Sequence, residues 1–132
     1  MYDTLKQTHL YKVALYIRLS KEDEDKKHKR EAESESISNQ RSMLMAYIKS
    51  NGFTLKNEYV DDGFSGTTFD RPAFNQMIAD IEKGEINCVI TKDLSRLGRD
   101  YIQSGYYIEN YFPLKKSRYI SVLDNVDTFL DS

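Results

Sequence analysis

Apolar residues fall along this chain in short runs that alternate between two spacings. Residues 11–19 are almost continuously apolar, with Val13, Ala14 and Leu15 at the centre, and predict a buried strand. Residues 21–36 are rich in Lys, Glu, Asp and Ser, show no apolar period, and predict a mobile charged loop. Ile37, Leu44, Tyr47 and Ile48 then share one helical face, with Ser36 as N-cap and Gly52 as stop. Residues 53–60 read as a second strand, running into Asp61-Asp62 and a flexible, hydroxyl-rich loop at 63–68. Asp70 as N-cap and Pro72 in the first turn predict a helix carrying the stripe Phe74, Met77, Ile78 and Ile81 and ending at Gly84. Residues 86–91 are a third apolar run. A further helix would place Tyr101, Gly105, Ile108 and Phe112 on one face, with Pro113 near its end. Residues 118–123 are the last strand, and 124–128 a turn.

Strands alternating with helices at these spacings imply right-handed crossovers. The expected fold is α/β: a mainly parallel central sheet of four to five strands with helices on both faces. At 132 residues this is one domain. No apolar run approaches the length of a membrane span. The lone cysteine, Cys88, sits inside the third apolar run, reads as a small buried hydrophobe, and fits a reducing cytoplasm rather than a disulfide framework. His9 and His28 lie in polar stretches without companion ligands. The formal net charge of -2 differs from the strongly basic footprint of a free-standing DNA-binding module.

The chemistry-bearing residues collect at the carboxyl ends of strands, where open α/β sheets bind ligands. Arg18 and Ser20 close the first strand and share a face by parity. Arg71 follows the second strand, and Arg96 and Arg99 follow the third, at a spacing that shares a face if the segment is helical. Guanidinium groups fork onto phosphate oxygens and stay charged at any working pH. A serine among several arginines, with no histidine as base, suits attack on phosphorus better than on a peptide carbonyl. The bland alternative is that these arginines are surface residues paired with Asp62, Asp70, Asp93 and Asp100. Rival chemistries are a phospho-acceptor receiver domain, a metal-dependent nuclease using Asp61, Asp62 and Asp124, and a non-catalytic assembly module. The receiver reading wants an acidic pair after the first strand, where this chain has Arg18-Leu19-Ser20.

Taken in order, Tyr16-x-Arg18-Leu19-Ser20, Gln40-Arg41, Asp62-Gly63-x-Ser65-Gly66, Asp70-Arg71-Pro72, Ser95-Arg96-Leu97-Gly98-Arg99-Asp100 and Asp124-x-x-Asp127-Thr128 resemble the catalytic domain of the resolvase/invertase family of serine site-specific recombinases. The wording of residues 92–100 and the long charged loop are most similar to the large serine recombinases of transposons and conjugative elements. The resemblance implies that Ser20 attacks a DNA phosphodiester and holds the 5′ phosphate, and that Arg18, Arg71, Arg96 and Arg99 bind that phosphate. It implies that Gln40 and Asp62 shape the site and assist proton movement. It further implies double-stranded DNA as partner, a dimer that becomes a synaptic tetramer, and no metal, other cofactor, membrane or small-molecule substrate. Family members continue into a long helix and a DNA-binding region, so the expectation is an N-terminal catalytic fragment of a longer protein. One departure is Ser95: smaller members carry an acid there. Asp93 or another carboxylate must replace that acid, or its role is dispensable.

Overall fold

The computed structural model describes residues 7–20 and 36–129. The charged stretch expected to be a mobile loop thus lies, all but Ser36, outside the described residues. A short 3-10 turn, Gln7–Leu10, leads into β1 (Val13–Leu19), α1 (Ile37–Asn51), β2 (Leu55–Asp62), α2 (Pro72–Glu82), β3 (Cys88–Thr91) and α3 (Leu94–Leu97). There follow α4 (Tyr101–Tyr106), a π-helical turn Tyr107–Tyr111, α5 (Phe112–Leu114), β4 (Arg118–Ser121) and β5 (Val126–Asp127). The five strands form one sheet in the order β2-β1-β3-β4-β5. The first four are parallel, and β5 pairs antiparallel with β4. Among the described residues no helix is long and apolar enough to cross a membrane.

β1 lies second from the edge of this sheet and every one of its residues is buried. Its side chains alternate between two cores, as the strand period requires. Val13, Leu15 and Ile17 join Leu44 and Ile48 of α1, with Phe53, Cys88, Ile90 and Ile120. Ala14 and Tyr16 join Phe74, Met77 and Ile81 of α2, with Phe112 and Tyr119. Helices therefore cover both faces, as expected. Cys88 is fully buried, and burial pushes its thiol up to about 12.

α1 begins and ends where the sequence indicates. The Ser36 side chain accepts the Asn39 amide, and Gly52 closes the helix in the left-handed region at φ 75°. α2 departs from expectation. Its N-cap is Arg71, not Asp70, and Arg71 makes no side-chain cap. The cap comes from across the fold: the Asp61 carboxylate at the end of β2 accepts the amides of Ala73 at 2.9 Å and Phe74 at 3.0 Å. The helical stretch after residue 100 also differs. The π turn inserts an extra residue, so the face shifts in phase. Tyr101 is 93% exposed while Phe112 is fully buried, so the two do not share a face. The expected final turn contains β5, whose Asp127 forks onto Arg118 at 2.9 and 2.7 Å.

Candidate active site at the carboxyl rim of the sheet

Arg18 is the last inward-facing side chain of β1 and is fully buried. Each of its three nitrogens donates to a backbone carbonyl. Nε reaches Arg96 O at 3.3 Å, Nη1 reaches Phe64 O at 3.1 Å, and Nη2 reaches Ser95 O. One guanidinium thus ties the strand end to the loop after β2 and to α3. Its own carbonyl is held in turn by Gln40 Nε2 at 3.0 Å and Arg96 Nη1 at 2.8 Å. These contacts fix the backbone two residues before Ser20, which is 1% exposed.

Arg71 is likewise fully buried. Nε donates to Thr68 O at 2.8 Å, Nη1 to the Tyr16 hydroxyl at 2.7 Å, and Nη2 to Leu97 O at 2.6 Å. Its guanidinium lies 4.6 Å from the centre of Phe69, 5.0 Å from that of Phe74 and 5.5 Å from that of Tyr16. The Tyr16 hydroxyl passes the connection on, donating to Asp61 at 2.7 Å. Burial holds the Tyr16 phenol protonated well above its ordinary range, against the opposing charge of Arg71. A hydrogen-bonded chain therefore runs Arg71–Tyr16–Asp61, and the same Asp61 caps α2.

Arg96 is 3% exposed and is flanked by Asp93, whose carboxylate lies 3.5 Å from its Nε. Arg99 is exposed, and its amide donates to Gly66 O at 2.6 Å. Burial, followed by the charges of Arg96, Arg71 and Arg99, pushes the Arg18 guanidinium down to about 10. Four arginines from three stretches of chain therefore surround one strand end. Such a cluster repels itself unless an anion enters it. Two glycines permit the approach. A Cβ on Gly66 would sit 2.6 Å from Arg18 Nη2 and 2.9 Å from Arg99 Cγ. A Cβ on Gly98 would sit 2.2 Å from Phe69 Cζ, the ring under Arg71. Gly98→Ala should therefore cost about 1–3 kcal/mol through overpacking. Urea denaturation checks this, and an unchanged midpoint would show that Phe69 moves freely.

Of the residues singled out in the sequence, the fold brings Ser20, Arg18, Arg71, Arg96, Arg99 and Gln40 to this rim. Asp62 lies opposite Leu19 in the β1–β2 register and is exposed. Its neighbour Asp61 is the buried acid of the pair. Parity carries that signal: Asp61 falls in phase with Tyr59, an inward residue of β2. Arg41 forks onto Glu58 at 2.9 and 2.5 Å instead of joining the cluster. The acids of the metal-nuclease reading are far apart. Asp61 and Asp62 are the last two residues of β2, while Asp124 follows β4, three strand spacings away or about 14 Å. Asp124 is committed to the Leu94 amide and the Ser121 hydroxyl, both at 2.7 Å.

Comparison with known proteins identifies the family of the fold. The family model "Resolvase, N terminal domain" matches residues 13–128. The N-terminal catalytic domain of TP901-1 integrase superposes with a TM-score of 0.77 at 31% identity, over 89% of this chain and 82% of that one. A resolvase family site-specific recombinase from Streptococcus pneumoniae gives 0.70 at 28%, over 90% and 76%. A Bacillus subtilis (strain 168) protein named as a DNA recombinase is 38% identical over 87 residues, 66% of this chain. This chain spans only 16% of that relative's length. The match covers β1 to β5 and every rim residue described above, and the chain belongs to the resolvase N-terminal domain family.

Proposed function

We propose that this domain carries out the strand cleavage and rejoining of site-specific DNA recombination, with Ser20 as nucleophile. The observation that carries the reading is the gathering of Arg18, Arg71, Arg96 and Arg99 around the strand end that bears Ser20. A phosphodiester resists cleavage through charge repulsion and poor leaving-group stabilisation, and preorganised cations in a dry rim act on both.

In the proposed step the Ser20 hydroxyl oxygen bonds to phosphorus and the bond from phosphorus to the 3′ oxygen breaks. The serine proton leaves through a group at the rim, and the departing 3′ oxygen takes one up as it becomes a hydroxyl. Asp62, exposed at the end of β2, is assigned to this proton movement, and Gln40 to holding the strand end. The 5′ phosphate remains on Ser20 as an ester. A 3′ hydroxyl from an exchanged strand reverses the step, so no high-energy cofactor is required. Double-stranded DNA is the partner. A dimer pairing into a synaptic tetramer brings four such sites to two duplexes.

The test uses the complete protein, a DNA substrate trapped at the cleaved stage, and EDTA throughout. The expected result is a covalent protein–DNA adduct that maps to the peptide containing Ser20. Cleavage that stops in EDTA without an adduct would overturn the serine mechanism and favour the metal-nuclease reading.

A further inference from the structure

We infer that Asp93 is a positioning residue that sets the orientation of Arg96 at the rim, acting partly through Ser95. The inference rests on the serine mechanism above. The turn from β3 into α3 places three contacts on one carboxylate oxygen. Asp93 Oδ1 accepts the Ser95 hydroxyl at 2.7 Å and the Arg96 amide at 3.0 Å, and stands 3.5 Å from Arg96 Nε. Ser95 Oγ in turn lies 3.4 Å from Arg96 Nη2. The other arm of the fork, Nη1, donates to Arg18 O at 2.8 Å. The guanidinium is thus held on one side by the strand that leads to Ser20 and on the other by a carboxylate.

Capping alone does not account for this acid. The first turn of α3 is capped a second time, because Asp124 accepts the Leu94 amide. What Asp93 adds is a negative charge beside a cation that is 3% exposed and lies in a cluster with Arg18, Arg71 and Arg99. Like charges of that kind turn a guanidinium away from its neighbours unless an anion holds it. The geometry also says where else the charge could stand. Ser95 Oγ is near both Asp93 and Arg96, so a carboxylate at position 95 reaches Arg96 from the same side.

Asp93→Asn keeps a good capping side chain and removes the charge. In the complete protein, measured well below the variant's urea midpoint where it is fully folded, it should lower the rate of Ser20–DNA adduct formation about 10²-fold, the scale of a misplaced catalytic group. Adding Ser95→Asp to that variant should bring the rate back to within about tenfold of wild type. An undiminished rate in Asp93→Asn would overturn the assignment. So would a loss that Ser95→Asp does not restore. If wild type itself forms no adduct, the serine mechanism fails, and Asp93 is judged separately by the Arg96 Nε–H signal in NMR. That signal should shift in Asp93→Asn and return in the double variant; no shift would overturn the positioning role on its own terms.

Discussion

Arg71→Ala is expected to cost about 3–5 kcal/mol of folding stability, the range seen when one member of a buried charged network is removed. The fully buried guanidinium donates to two carbonyls and a phenol and fills the space between three rings. Its loss leaves Thr68 O, Leu97 O and Tyr16 Oη without a donor and Asp61 without the cation that Tyr16 connects to it. Each lost bond of this type contributes about 1 kcal/mol, and the cavity adds more. Arg99→Ala, by contrast, removes an exposed side chain and should leave the urea midpoint nearly unchanged while cleavage falls. A stability loss under about 1 kcal/mol in Arg71→Ala would show that the ring stack closes over the gap. The pair of variants matters because the four arginines do not stand alike. Arg18 and Arg71 are built into the backbone of the rim, so loss of cleavage in their variants mixes fold with chemistry. Arg99 reports the chemistry more directly.

Ser20→Ala is expected to lower strand cleavage by at least about 10³-fold and to abolish the adduct, as removal of a nucleophile does elsewhere. The side chain is small and 1% exposed, so the change should cost stability only about 1 kcal/mol, the value of one hydrogen bond. DNA binding should persist, since the phosphate contacts proposed for the arginines do not use the serine hydroxyl. Rates come from timed quenching on a cleavable duplex, with binding measured by gel shift on the same preparation. Residual cleavage within about tenfold of wild type would remove Ser20 from the reaction and point to water or another hydroxyl as nucleophile.

Much of the framework was legible before the fold was known, because strand and helix periods are local. β1, both caps of α1 and the stripe of α2 follow directly from residue order. The cap of α2 was not legible, because it belongs to Asp61, twelve residues from Ala73 and on a different element. The helical face expected over residues 101–112 differs from the fold for a similar reason. A π turn at Tyr107–Tyr111 accommodates the stacked rings of Phe69 and Tyr107, and no local spacing signals it. At the rim, the order of polar clusters at strand ends was readable. That Arg18 would use its three nitrogens on the carbonyls of Phe64, Ser95 and Arg96 was not, since carbonyl positions depend on how loops from different strands meet. Asp61 against Asp62 lay between these cases, with strand parity available as the guide.

The burial of Ser20 has a consequence for timing. In the proposed mechanism, a hydroxyl 1% exposed meets a duplex phosphate only after the groups around it part. The observed cutting rate is then the chemical rate multiplied by the fraction of molecules standing open. If parting costs about 2.8 kcal/mol, only about one molecule in a hundred is competent at any moment. The same closure governs the fate of the broken strand. On that proposal, a phosphate ester formed at so buried a position would meet few water molecules, and hydrolysis to a permanent break would be slowed along with the cut. A DNA end held by its partner strand does not need to diffuse in and keeps its access. In the proposed mechanism the slow step at the start would thus act as a safeguard at the finish.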